Sequence, residues 1–183
     1  DAARIIANGY ADLVSMARPL LADPEFANKI ERGRPDLINV CIACNQACLD
    51  HYFTEQVITC LVNPRAARES EFTDVPAKIA KRIAVIGAGV AGIAAALEAA
   101  RRGHHVTLFE ATSQIGGQFV LAAVIPGKED YGLALKSYQA QLTNAGVVIK
   151  TGIKVDPELL RREGFDEIIV STGVRRRLID IPG

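Results

Sequence analysis

The feature that most constrains this chain is Gly87-Ala88-Gly89-Val90-Ala91-Gly92, which follows directly on Ile83-Ala84-Val85-Ile86. The four apolar, largely β-branched residues before it have the pattern of a parallel strand buried on both faces. Ile93 to Arg102 is rich in Ala and Leu and ends at Gly103, which predicts a helix. Val106-Thr107-Leu108-Phe109 predicts a second strand, and Glu110 stands at its end. Strand, G-x-G-x-x-G, helix, strand and acid together form a dinucleotide-binding βαβ unit. Each part has a physical task. Gly87 permits the tight turn, Gly89 lets the backbone approach a pyrophosphate, and Gly92 lets the helix pack close to the strand. The helix N-terminus offers free N–H groups to the anion. Glu110 can accept hydrogen bonds from ribose hydroxyls, and its carboxylate repels a 2′-phosphate, which excludes NADP from this turn.

Residues further on favour FAD over NAD at this turn. Gly116-Gly117-Gln118 supplies a second glycine pair soon after the acid, and Ser171-Thr172-Gly173 follows the apolar strand Ile168-Ile169-Val170. Both features are typical of flavoproteins that carry two dinucleotide domains. Between them, Leu133 to Leu142 has apolar residues at helical spacing and stops near Gly146, and Val147-Val148-Ile149 predicts a strand. The triplet Arg175-Arg176-Arg177 reads as a solvated turn.

All four cysteines lie close together, as Cys41-x2-Cys44-x3-Cys48-x11-Cys60. Two disulfides would fit a secreted domain, but nothing else here has a secretory character. A structural zinc site usually draws on two C-x2-C knuckles, and this chain has one. Three close thiolates and one remote thiolate suit a four-iron cubane, in which each iron takes one cysteine. Ala43, Ala47 and the Asn45-Gln46 pair leave room for backbone N–H groups to approach inorganic sulfide. Zinc stays open as the alternative. His51, His104 and His105 have no ligand partners at useful spacing and read as surface or helix-end residues.

Composition narrows the rest. The 183 residues are 49% hydrophobic and 23% charged, which excludes a disordered chain, a coiled coil and a collagen-like chain. Lys plus Arg and Asp plus Glu both number 21, so nothing draws the whole chain to nucleic acid or an anionic membrane. With aromatics at 5% and no Trp, a base-stacking platform is not expected. No apolar run approaches the ~20 residues of a membrane span. No signal peptide is visible, and a cytoplasmic location is expected. The chain starts within a helical pattern and stops on a turn signal, so it is expected to be part of a larger protein.

The expected fold class is α/β, in three parts. Residues 1–34 read as the C-terminal end of a (β/α)8 barrel. Ala2 to Ala7 forms the last turns of a helix closed by Gly9, and Leu13 to Met16 forms a strand ending in Ala17-Arg18-Pro19. A helix then runs from Pro24 to Arg32 between an Asp23 cap and Gly33. Strand, basic loop and helix is how such a barrel presents a phosphate site, although Arg18 taken alone reads as a surface arginine. Residues 35–80 form the iron–sulfur segment and a polar connector. Residues 81–183 form the first part of a Rossmann-like parallel-sheet domain, incomplete at its end.

Ala17-Arg18-Pro19, Cys41 to Asp50, Cys60 to Arg65, Ile115 to Phe119 and Ile125-Pro126-Gly127-Lys128-Glu129 occur in this order. They resemble the NADH:flavin oxidoreductase / trimethylamine dehydrogenase family, and within it the bacterial NADPH-dependent 2,4-dienoyl-CoA reductases. The trimethylamine dehydrogenase branch shares the cysteine spacing but matches less well at Asn45-Gln46-Ala47 and Asn63-Pro64-Arg65. The resemblance implies an N-terminal FMN barrel, a 4Fe–4S segment, an FAD domain and an inserted NADPH domain. It also implies electron flow from NADPH through FAD, cluster and FMN to an unsaturated acyl-CoA. Ala17 and Arg18 would contact FMN, and Cys41, Cys44, Cys48 and Cys60 would hold the cluster. Ala91, Glu110, Gln118, Lys128 and Val155 would contact FAD together with Gly87, Gly89 and Gly92. No substrate-protonating residue is expected in this stretch. The rest of the barrel and the NADPH domain are partners expected from the same parent chain, and the 183 residues alone are expected to be inactive. An amine- or enone-converting relative and a zinc-stabilised nucleotide-binding module are the alternatives.

Overall fold

The computed structural model describes residues 2–72, 74–174 and 181, and it divides into two units, residues 1–72 and 73–183. The triplet Arg175-Arg176-Arg177 lies outside the described residues.

The first unit is built from short helices and turns. Helix α1 (Ala2–Ala7) closes as expected, with Gly9 in the left-handed region and the Tyr10 N–H donating to the Ile5 carbonyl. Helix α2 (Arg18–Ala22) starts at the position expected to be the end of a strand. Helix α3 (Phe26–Glu31) is shorter than the expected 24–32. Pro24 and Glu25 form a turn instead, and the Glu25 N–H donates to the Asp23 carboxylate at 3.0 Å. A 3-10 turn at Pro35–Leu37 and helix α4 (Leu49–Phe53) complete the regular structure.

The strand expected over Leu13 to Met16 is not formed, and Leu13 is 87% exposed. A strand needs a partner to take its N–H and C=O groups, and among the described residues of this unit no strand is present. The small core is made of Ala22, Ile38, Ile42, Val62 and Ala66.

The second unit follows its apolar pattern closely. Strands β1 (Arg82–Ile86), β2 (His105–Phe109), β3 (Val148–Lys150) and β4 (Glu167–Val170) form one parallel sheet in the order β3-β2-β1-β4. In register, Ile83 faces Val106 on one side and Glu167 on the other. Ile83, Ala84 and Val85 are buried in succession, as a strand covered on both faces requires.

Helix α5 (Val90–Arg101) lays Gly92, Ile93, Ala96 and Ala99 on the sheet. Helix α7 (Asp130–Asn144) buries Ala134, Ser137, Tyr138 and Leu142 at three- and four-residue intervals. It is longer than the expected 133–142 because its polar first turn carries no apolar signal. Helices α6 (Gln118–Ala122) and α8 (Pro157–Glu163) were not expected. The start of α8 is legible in hindsight, since the Asp156 side chain accepts from the Leu159 N–H and Pro157 follows it. Fully buried Phe109, Leu108, Ile93 and Leu142 contribute roughly 1.5–3 kcal/mol each.

The strand order reverses at β1: the chain runs outward from it through β2 and β3 on one side, then returns to add β4 on the other. The carboxyl ends of β1 and β4 therefore flank the crevice where open α/β sheets take ligands. Helix α5 reaches that crevice because Gly92 has no side chain. A Cβ there would overlap the Gly87 carbonyl and come within 2.6 Å of Ser171 Oγ. Gly92→Ala is expected to lower stability by about 1–3 kcal/mol. Gly89→Ala places its methyl in open space and should leave the urea unfolding midpoint close to wild type; equal midpoints for the two variants would contradict this packing.

Candidate functional site

The glycine turn is held by the chain's own backbone. Gly87 has φ 99° and its N–H donates to the Phe109 carbonyl at 2.8 Å. A Cβ at Gly87 would meet the Ser171 carbonyl oxygen at 2.5 Å, so the turn packs directly on the end of β4. Ser171 Oγ reinforces this by donating towards the Ile86 and Gly87 carbonyls, at 3.0 and 2.8 Å. Gly89 caps helix α5, and its missing Cβ faces open space. An anion can approach the α5 N–H groups there without a side chain in the way.

The second glycine pair comes back onto the first. The Gly116 N–H donates to the Ala88 carbonyl at 2.7 Å, and Gly116 pairs with Gly89 as an isolated parallel bridge. A Cβ on Gly117 would sit 3.1 Å from Gly89 Cα. Gln118, the first residue of α6, is thereby brought beside the turn.

Glu110 completes this arrangement. Its Oε2 accepts from the Ala88 N–H at 2.9 Å, and its Oε1 accepts from the Thr112 N–H at 2.8 Å and the Thr112 hydroxyl at 2.9 Å. Partial burial pushes the carboxyl pKa up. The N–H groups of Thr112, Ala88 and Ala111 and the Thr112 hydroxyl outweigh that effect and hold it below the usual value. The hydrogen bonds from the Ala88 N–H, the Thr112 N–H and the Thr112 hydroxyl take three of a carboxylate's about four acceptor positions, which leaves one for a ribose hydroxyl. Thr112 was not foreseen; its signal is a hydroxyl two residues after the acid.

The other expected contacts are spread along the same unit. Ala91 is exposed in the first turn of α5. Lys128 is exposed just before α7, with Nζ 5.9 Å from the centre of the Tyr131 ring. Val155 is half-buried in the segment after β3, near Ile153, whose N–H donates to the Glu110 carbonyl at 2.9 Å. Among the described residues no hydrogen bond ties Lys128 or Val155 to the turn.

In the first unit, Cys41, Cys44, Cys48 and Cys60 line one cavity together with Arg18, Leu21, Ile42 and Asn45. All four are free thiols, each half-buried. Burial pushes the Cys60 thiol pKa up, the N–H groups of Val62 and Asn63 act against this, and nearby Cys41 and Cys44 add to the rise. Ala43 and Asn45 have φ of 52° and 61°, left-handed angles that non-glycine residues seldom adopt. These two corners bend the loop around the cavity.

Side-chain amides tie the loop to helix α2. Asn39 Nδ2 donates to the carbonyls of Ala22 (3.0 Å) and Val62 (2.5 Å), and Asn63 Nδ2 donates to that of Leu21 (2.9 Å). Asp23, 3% exposed, accepts from Lys29 Nζ at 2.6 Å and from the Asn39 N–H at 2.7 Å. Neither asparagine was singled out individually; their signal is an amide just before the first cysteine and another just after the last.

Four thiols around one cavity, with backbone N–H groups aimed at one sulfur, are a donor set that fits a thiolate-held metal group. Among the described residues no three His, Cys, Asp or Glu side chains are gathered as a site for a single ion. Ala17 precedes α2 and Arg18 begins it, both exposed. His51 Nδ1 lies 3.0 Å from the Val57 carbonyl, and His104 Nδ1 accepts from the Lys81 N–H, so both histidines are engaged locally.

Residues 81–183 match the family model described as pyridine nucleotide-disulphide oxidoreductase. The chain belongs to that family. Residues 1–37 match the NADH:flavin oxidoreductase / NADH oxidase family. The chain is 44% identical to a metal reductase of Desulforamulus reducens, over 97% of its own length and 27% of that protein. It is also similar to the solved 2-naphthoyl-CoA reductase complex, with TM-score 0.94, 33% identity, and coverage of 97% of this chain and 27% of that one. Against histamine dehydrogenase from Rhizobium sp. 4-9 the TM-score is 0.85 at 30% identity, covering 96% and 28%. The chain thus spans about a quarter of the length of these relatives. They and the two family models mark a flavin-dependent oxidoreductase family. Among the described residues no helix is long and apolar enough to cross a membrane.

Because the folded Glu110 pKa lies below its unfolded value, its contribution to stability is present above the unfolded pKa and is lost as pH falls through the folded one. Glu110→Gln should be less stable than wild type at neutral pH and should lose less on acidification. Urea midpoints taken from pH 7 down through the carboxylate range check this; parallel acid limbs for the two proteins would refute it.

Proposed function

We propose that this chain is the electron-transfer portion of a flavin and iron–sulfur oxidoreductase of the 2,4-dienoyl-CoA reductase type. The observation that carries the reading is the ring of four free, half-buried cysteines around one cavity, in a chain whose second unit presents a glycine turn and a fixed acid. Cys41, Cys44, Cys48 and Cys60 would hold a 4Fe–4S cluster. The turn at Gly87, Gly89, Ala91 and Gly92, with Glu110, Gln118, Lys128 and Val155, would hold FAD. Ala17 and Arg18 would meet the phosphate end of FMN, whose barrel, like the NADPH domain, is supplied by the rest of the parent chain. A four-iron cluster carries one electron at a time, which suits it to join two flavins that each handle two.

The chain's own contribution is placement. The amide ties of Asn39 and Asn63 fix the cysteine loop on α2. The glycine contacts hold the dinucleotide turn open. A cytoplasmic location is proposed on the resemblance to the family, since a cysteine-held cluster is at home in a reducing compartment.

A structural zinc site usually draws on two C-x2-C knuckles, and this chain has one, at Cys41 and Cys44. An unsaturated acyl-CoA is the favoured substrate class, supported by the likeness to 2-naphthoyl-CoA reductase. An amine is the second reading, supported by the likeness to histamine dehydrogenase. The full-length protein, purified anaerobically, should be brown, contain about four irons per chain with both FAD and FMN, and oxidise NADPH with a dienoyl-CoA. Amine oxidation without dienoyl-CoA reduction would establish the second reading, and colourless protein with one zinc would overturn both. The 183 residues alone should not turn over NADPH and dienoyl-CoA.

A further inference from the structure

We propose that Arg18 and Asn45 form a clamp that positions the cysteine loop and keeps a permanent positive charge at the wall of its cavity. The proposal rests on reading the four cysteines as metal-group ligands. Arg18 Nη1 donates to Asn45 Oδ1 at 3.1 Å, and both residues line the cavity with all four cysteines. Asn45 follows Cys44 directly and sits at φ 61°. Asparagine tolerates that conformation better than other side chains do, apart from glycine.

The Asn45 carbonyl accepts from the N–H groups of Cys48 (3.4 Å) and Asp50 (3.0 Å). One residue thus sets the path from Cys44 to Cys48, and rotating it would move both sulfurs. Arg18 reaches it from α2, whose carbonyls at Leu21 and Ala22 are held by Asn63 and Asn39. The arm is anchored at its base, and its tip fixes the corner.

An exposed bond of this kind contributes little to stability by itself. Its consequence is positional and electrostatic. A guanidinium stays charged at every working pH. Next to the four cysteine sulfurs and the apolar walls formed by Leu21, Ile42 and Val62, it favours the form of a bound group that carries more negative charge. Releasing the arm should therefore lower the reduction potential of a cluster held there. Arg18 thus positions the loop through Asn45, and Asn45 in turn holds the Arg18 charge at the cavity wall.

The test uses the full-length holoprotein, with iron per chain and the cluster potential, followed by EPR, as readouts. Asn45→Gly removes the acceptor while accepting the left-handed angle without strain. It should lower the potential, as should Arg18→Gln, and the double variant should shift no further than Arg18→Gln alone. Asn45→Asp keeps the acceptor and should keep wild-type iron. If Asn45→Gly sheds iron before its potential can be read, retention of iron by Asn45→Asp supports the clamp, and equal loss overturns it. An unchanged potential in Asn45→Gly, or shifts that add in the double variant, also overturns it. Wild-type protein without iron would instead overturn the reading of the cysteines.

Discussion

The second unit depends on one close approach, that of the first turn of α5 to the carbonyl of Gly87. Hydrophobic burial brings helix and sheet together but does not fix how near they come. That distance is set by the atoms at the contact, and at Gly92 there is no Cβ to hold the helix away. Once the helix is this close, Gly87 packs on Ser171 at the end of β4, and Gly116 and Gly117 pack on Ala88 and Gly89. Five glycines from two segments, with Ser171 from a third, thus meet at close quarters. Such contacts are short-ranged and stiff, so the crevice inherits their geometry with little slack.

The first unit solves a different problem. Among its described residues there is no sheet and no long helix, so few ladder bonds hold its loops. Asparagine amides take that role, donating to the main-chain carbonyls of Leu21, Ala22 and Val62. Asp23 adds a buried carboxylate that gathers two main-chain N–H groups and a lysine. The arrangement is specific, because every tie has its own direction. It also has little hydrophobic reserve, since the core amounts to a few small side chains.

What was legible in the sequence follows from this difference. Strands β1 and β2 and helix α5 were readable within a residue or three, because burial between two layers writes apolar runs, and β4 carries such a run although Ile168 and Val170 are exposed. The glycine turn and Glu110 were readable because only a few residue types satisfy that geometry. The cysteine spacing was visible at once. By contrast, Leu13 to Met16 looked like a strand because local pattern cannot report whether a neighbour is there to pair with. Helix α2 hid behind Pro19, and α6 was too short to display a period. The ties of Asn39 and Asn63 and the Arg18–Asn45 bond join residues far apart in sequence, and no local rule connects an amide to a carbonyl that distant.

The Glu110 carboxylate grips the main chain at Ala88 and Thr112 within the folded chain itself. The loop that would otherwise have to be frozen by an incoming molecule is frozen when the protein folds. Association then sacrifices less chain freedom, so more of the contact energy appears as affinity. The same carboxylate would serve first as an internal brace and afterwards as a partner for sugar oxygens, which ties the tightness of the complex to the intactness of the empty cradle.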